Sequence, residues 1–218
     1  MNILFDYDGT LHDTTKIYAS GFRKAYDVLV EAGYAPERSL TDEHISEYLG
    51  LAPADAWKKE LPDLPDDLIS QSIDITGERM NEMIFSGQSR LYEGATDVLD
   101  DLKVQGHTLL ILSNCTIPYK EAHLSAFKLE KWFSKFYAAE KFNYIPKSEI
   151  FEYIRKDFPG EYIVSGDRKG DFDYASRFGA VSVGCTYGSG SPDELKDADY
   201  LIGDIREFTS VIQKITSK

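Results

Sequence analysis

Cysteine is nearly absent from this chain. Cys115 and Cys185 are the only two in 218 residues, too few to frame a disulfide-stapled fold, so a reducing, cytoplasmic setting is expected. Basic residues are scarce as well: Lys and Arg number 24 against 37 Asp and Glu, a formal charge of −13. Proteins that bind nucleic-acid backbones need a cationic surplus, so no nucleic-acid partner is expected. A small phosphorylated ligand stays open, because a metal ion or a local positive pocket can hold one. Long apolar runs are missing too: none approaches the roughly 20 residues that cross a bilayer, and no basic segment leads into an apolar one at the N-terminus. No membrane association is expected. Internal repeats and low-complexity segments are also lacking.

What is present is a short apolar run that ends in acid. Ile3-Leu4-Phe5 reads as a buried strand and passes directly into Asp6-Tyr7-Asp8-Gly9-Thr10-Leu11-His12-Asp13. Carboxylates seldom sit at the end of a buried strand unless something positive binds there. Asp6 and Asp8 are two residues apart and so point the same way on extended backbone. Gly9 allows a sharp turn, and Thr10 offers a hydroxyl to a phosphate.

The next block, residues 14–88, carries no strand pattern. Asp13 and Thr14 supply helix-start chemistry for a helix over about 15–32, which Gly33 closes. Thr41 opens a short helix, Pro53 and Pro65 are first-turn prolines of two more, and apolar residues recur at helical spacing through 66–84. Phe22, Tyr26, Tyr48 and Trp57 are expected to form this block's own core. From residue 89 onward strands alternate with helices. Strands are predicted over 108–112, 162–165, 181–183 and 200–202, with a weaker one at 136–138. Helices are predicted over about 94–105, 118–127, 147–158, 172–178 and 205–215. The Gly188–Pro192 segment is expected to be a loop at the site rim.

This alternation predicts an α/β fold with a doubly wound parallel sheet and helices on both faces. Ligands in such folds bind beyond the carboxyl ends of the strands. Three predicted strands end in reactive groups, at Asp6-Tyr7-Asp8, Ser113-Asn114 and Gly166-Asp167. Neighbouring strands lie about 4.8 Å apart, so these side chains converge. A carboxylate such as Asp6 can attack phosphorus, and Asp8 can serve as general acid and then general base. Mg²⁺ prefers oxygen ligands, which Asp6, the carbonyl of Asp8 and Asp167 can supply. Ser113 and the backbone at Asn114 can donate to phosphate oxygens, while Lys147 neutralises charge.

These residues resemble the motifs of the haloacid dehalogenase superfamily. Asp6 through Asp13 is similar to motif I in its phosphatase form, DxDGTLxD. Ser113-Asn114 resembles motif II, Lys147 motif III, and Gly166-Asp167-Arg168-Lys169-Gly170-Asp171 the GDxxxD form of motif IV. The helical block is similar to the C1 cap of the phosphoglycolate phosphatase-like branch. The resemblance implies a Rossmann-like core at 1–13 and 89–218 with a cap at 14–88. It further implies a Mg²⁺-dependent phosphatase acting on a small phosphorylated metabolite. Asp6, Asp8 and Lys147 would be catalytic, and Thr10, Ser113, Asn114 and Lys147 would bind phosphate. Asp6, Asp8, Asp167 and Asp171 would be associated with the metal. Many relatives carry the lysine as KPxPExF; aligned on Glu149, Ile145 takes that place here, which leaves Lys147, at a helix start, and Lys141 as candidates. A phosphomutase of the β-phosphoglucomutase type and a non-catalytic binding protein are the competing readings.

Overall fold

The computed structural model describes residues 1–217. Its centre is a parallel sheet of β1 (Asn2–Phe5), β2 (Thr108–Ser113), β3 (Phe133–Ala138), β4 (Tyr162–Gly166), β5 (Val181–Cys185) and β6 (Tyr200–Ile202). The spatial order is β3-β2-β1-β4-β5-β6, so the chain winds outward in both directions from β1. Every adjacent pair is parallel. Parallel sheets have both faces covered, which explains why the central strands read as unbroken apolar runs. The two-residue period divides those runs between two cores. Ile3, Phe5, Leu109, Ile111 and Ile163 enter one, whereas Leu4, Leu110, Leu112 and Val164 enter the other.

The first face is covered by α5 (Ala95–Val104), α6 (Ile117–Phe127) and α9 (Phe208–Thr216), through residues such as Leu99, Ala122 and Ile212. The second is covered by α7 (Lys147–Asp157), through Ile150, Phe151 and Ile154. Between β1 and β2 the chain builds α1 (Thr15–Glu31), α2 (Asp42–Ser46), α3 (Pro53–Glu60) and α4 (Asp66–Phe85). These helices share a separate cluster in which the Phe22 and Trp57 rings stack at 4.1 Å. Phe22, Tyr26, Tyr48 and Trp57 all lie in it, as their helical spacing suggests. Among the described residues, no helix is long and apolar enough to cross a membrane.

The structure corrects several local expectations. Residues 172–178 are not an α-helix but turns, with 3₁₀ segments at Lys169–Asp171 and Ser176–Phe178. Phe172, Tyr174 and Ala175 enter the second core and Phe178 packs against it, a spacing that also suits one helical face, so the burial pattern alone does not tell these turns from a helix. Strand β3 begins at Phe133, three residues before the predicted start. It lies at the sheet edge, where exposed Ser134 and Lys135 break the apolar run. Pro65 precedes α4 as its N-cap instead of occupying the first turn. The rim loop contains a short helix, α8 (Pro192–Leu195), started by a Ser191–Glu194 capping box that no periodic apolar pattern announces. Thr14 makes no capping bond to α1, and Asp13 pairs with Arg90 at 2.7 Å; Thr14 has other work in the site.

Leu4 is 2% exposed and sits between β2 and β4. Leu4→Ala should cost about 2–5 kcal/mol, read as a drop of roughly 2–4 °C in melting temperature per kcal/mol. Leu201→Ala, on a side chain 51% exposed, should stay within about 0.5 kcal/mol of the parent. Equal melting temperatures for the two variants would contradict the assigned core.

Candidate active site

Register carries the reactive groups to one edge of the sheet. Phe5 lies level with Ile111 on one side and Ser165 on the other, and the Asp6 N–H donates to the Ser165 carbonyl at 2.7 Å. Asp6, Ser113 and Asp167 therefore leave three adjacent strands on the same side. Strands β1 and β4 flank the point where the winding reverses, and there the loops diverge and leave a crevice. Beyond Asp6 the backbone folds on itself: Leu11 and His12 both donate to the Tyr7 carbonyl at 2.9 Å. Gly9 holds φ +82° in this turn, and a Cβ there would run into the Asp167 carboxylate. The Tyr7 hydroxyl is anchored on the opposite side, 2.7 Å from His123 Nδ1.

Three buried carboxylates cluster together, and two of them share one ammonium. Ligand oxygens of Asp6, Asp167 and Asp171 all lie within 4.8 Å of one another. Lys147 Nζ donates to Asp6 Oδ1 and to Asp171 Oδ1, each at 2.6 Å. Asp171 also accepts from the Arg168 N–H at 2.8 Å, and Asp167 accepts from the Ser189 N–H and hydroxyl at 2.7 and 2.8 Å. Thr10 turns its hydroxyl toward Asp167 Oδ1 at 3.4 Å. Burial pushes the Asp6 carboxyl well above the usual carboxylate range, the Asp171 charge adds to this, and Lys147 opposes both. Burial followed by the Asp171 charge raises Asp167 to about 6, against the Ser189 hydrogen bonds. Burial alone would depress the Lys147 ammonium, but Asp171 and Asp6 outweigh it and raise its pKa. Three carboxylates against one ammonium leave the buried cluster short of positive charge. This all-oxygen donor set fits a hard divalent cation.

Asp8 lives in a different environment. Its Oδ1 accepts from Tyr119 at 2.5 Å and from Thr14 at 2.6 Å, with His12 Nδ1 at 3.2 Å, and Ser113 donates to Oδ2 at 3.4 Å. The His12 ring is fixed from behind by Ser89, at 2.5 Å from Nε2. Burial would raise the Asp8 carboxyl, yet hydrogen bonds from His12, Thr14 and Tyr119 prevail and hold it at about 2. The side chain is absent from the three-acid cluster. Neighbouring acids on one turn are thus driven apart, one resisting ionisation and one favouring it.

His12, Thr14 and Tyr119 were not legible in the sequence as partners of Asp8. Thr14 carried a helix-start signal that masked it, and Tyr119 is separated from Asp8 by a long stretch of chain with no spacing cue. Of the two candidate lysines, Lys147 reaches the cluster, whereas Lys141 is exposed in a 3₁₀ turn. Asn114 does not point at the acids: its Nδ2 donates to the Gly50 carbonyl at 2.8 Å.

That bond belongs to a roof. The 48–51 loop between α2 and α3 lies over the sheet edge, and Arg168 donates to the Leu49 carbonyl at 2.6 Å. Between loop and edge is a cavity of about 110 Å³, floored by Asp6, Asp8 and Ser113 and roofed by Tyr48, Leu51 and Trp57. Gly77 lies within α4 along its wall, and a Cβ there would meet nothing within 4 Å. A glycine inside a helix costs about 0.5–1 kcal/mol relative to alanine, so the space beside it comes at some expense in stability.

The description "haloacid dehalogenase-like hydrolase" belongs to the family model that matches residues 3–185. A phosphoglycolate phosphatase from Haemophilus influenzae is 26% identical over 130 residues, 57% of this chain and 58% of that protein. That match spans little more than half of the relative's length. A 5'-nucleotidase from Pseudomonas aeruginosa is 26% identical over 208 residues, 89% of this chain and 86% of that one. A crystal structure of a predicted phosphatase from Clostridium acetobutylicum superposes with a TM-score of 0.82 over 98% of both chains at 22% identity, a likeness of fold.

A carboxyl whose folded pKa exceeds its unfolded value costs stability at every pH above that unfolded value, and the cost fades on acidification. Asp6→Asn should therefore stabilise the metal-free protein near neutral pH, by on the order of 1 kcal/mol or roughly 2–4 °C at this chain length. Added divalent cation should raise the parent's melting temperature more than the variant's. A lower melting temperature for the variant in excess chelator would contradict the repulsive cluster.

Proposed function

The chain belongs to the haloacid dehalogenase-like hydrolase family, and we propose that it is a Mg²⁺-dependent phosphatase that hydrolyses a small phosphate monoester through an aspartyl-phosphate on Asp6. The observation that carries this reading is the pairing of two unlike acids on one turn. Asp6 lies in a lysine-bridged, three-carboxylate cluster, and Asp8 lies on a separate hydrogen-bond network beside the same cavity. Relatives named for phosphoglycolate and for 5'-nucleotides are consistent with a phosphate ester as substrate. Residues 1–13 and 89–218 are assigned to the catalytic core and 14–88 to the cap.

Phosphoryl transfer demands in-line positioning and charge neutralisation more than elaborate covalent chemistry. An Asp6 oxygen attacks phosphorus; the new acyl phosphate P–O bond forms as the ester P–O bond breaks. Asp8 gives its proton to the departing oxygen, which leaves as an alcohol. In the second half Asp8 takes a proton from water, the water oxygen bonds to phosphorus, and the acyl phosphate bond breaks to return Asp6 and inorganic phosphate. Asp8 must be protonated for the first half. Its low value in the empty site rises when the anionic phosphate sits beside it, because a like charge disfavours ionisation. The Tyr119, Thr14 and His12 contacts aim the carboxyl at the leaving oxygen. Lys147 fixes Asp6 and offsets charge on the transferring group. Ser113, the backbone at Asn114 and Thr10 are assigned to the phosphate oxygens. Asp6, Asp167 and Asp171, with the Asp8 carbonyl, would hold Mg²⁺, which when bound neutralises charge on the phosphoryl oxygens.

Asp6→Asn should lower kcat on the order of 10³-fold or more, and excess chelator should silence the parent until Mg²⁺ is restored. Turnover by Asp6→Asn at the parent rate would remove the nucleophile from the mechanism. Turnover that persists in chelator would remove the metal.

A further inference from the structure

We infer that the leaving group of the substrate is uncharged and presents an apolar face, so that phosphate esters of carboxylated alcohols and sugar bisphosphates are poor substrates. This rests on the phosphatase reading above and concerns what occupies the cavity beyond the phosphate.

The inference comes from what lines the cavity. Among the described residues, no lysine, arginine or histidine lines it, and its only carboxylates are Asp6 and Asp8. Much of the remaining wall is Tyr18, Leu49, Leu51, Ile73 and Met80, together with the rings of Tyr48 and Trp57. Two cations border the site, and both are already engaged. Lys147 is shared by Asp6 and Asp171. Arg168 donates to Glu194 Oε1 at 2.9 Å and to the Leu49 carbonyl, and it lines a separate outer opening with Lys147 and Glu194. A carboxylate or second phosphate on the leaving group would lose its hydration under this roof and find no free cation to pair with. An uncharged group would lose little and bury apolar surface. Neutral polar contacts are on offer: among the described residues neither the Tyr18 nor the Thr116 hydroxyl donates a hydrogen bond, so an ether, hydroxyl or carbonyl oxygen could pair with either. Gly77 supplies a place to change the charge alone, since a side chain there enters open space.

The test compares isobutyl phosphate with phosphoglycolate. Their leaving groups have the same branched shape and differ in an ionised carboxylate. With Mg²⁺ present, kcat/KM for isobutyl phosphate should exceed that for phosphoglycolate at least tenfold. Gly77→Lys, which brings an ammonium to the wall, should move the ratio toward phosphoglycolate by at least tenfold, while Gly77→Met, of similar reach and no charge, should leave the ratio within threefold. A parent preference for phosphoglycolate would overturn the inference and leave the phosphatase reading standing. An unchanged ratio in Gly77→Lys would overturn the placement of the leaving group in this cavity. If neither ester, nor acetyl phosphate as a small reactive control, is cleaved faster than by Asp6→Asn, the phosphatase reading fails and takes the inference with it.

Discussion

The Lys147 ammonium, held between Asp6 and Asp171, is the contact on which the rest of the site depends. It joins three parts of the fold: the end of β1, the start of α7 and the turn after β4. A buried ammonium or a buried carboxylate alone is costly, and each is tolerated here because the other is near. The balance is incomplete in electrostatic terms. One cation among three acids leaves a deficit that an incoming cation can fill, and the resulting repulsion is the opposite of what a purely structural cluster would show.

The sheet explains why such a cluster can exist. Its strands are held by backbone pairing and by apolar contacts on both faces, away from the polar groups at its edge. The acids can therefore be held in an unfavourable arrangement without unfolding the protein. Asp8 illustrates the same freedom with opposite sign: only two residues from Asp6, it is satisfied by Tyr119, Thr14 and His12. A single turn thus provides two carboxyls with different protonation behaviour, which suits the roles proposed for them.

Much of this was legible in the chain itself. Apolar runs such as Thr108–Leu112 and Tyr162–Ser165 announced the central strands. The acids at strand ends announced the site, because a run buried on both faces tolerates a carboxylate at its end only where a cation or a reacting group meets it. The failures have a common cause. The stretch at 172–178 looked helical because Phe172, Tyr174, Ala175 and Phe178 recur at helical spacing, yet the structure buries them from turns and a 3₁₀ segment. Thr14 looked like a cap because threonine often is one, and only the fold brings Asp8 within 2.6 Å of it. Tyr119 on α6 had no local signal at all, since its role is created by packing across a long sequence separation. Local chemistry was readable where the backbone alone decides it, and unreadable where tertiary contact does.

The roof is fastened in a way that bears on how this protein could change. Asn114 and Arg168 both grip the 48–51 loop through its carbonyl oxygens, at Gly50 and Leu49, and neither grips a side chain. Every residue type carries a carbonyl, so those two bonds restrict side chains only at Gly50, whose φ of +84° and closeness to the Arg168 side chain favour glycine. Closure and selectivity are thereby uncoupled. Outside Gly50, the groups the loop turns toward the cavity can change while the bonds from Asn114 and Arg168 that hold its backbone over the acids stay in place.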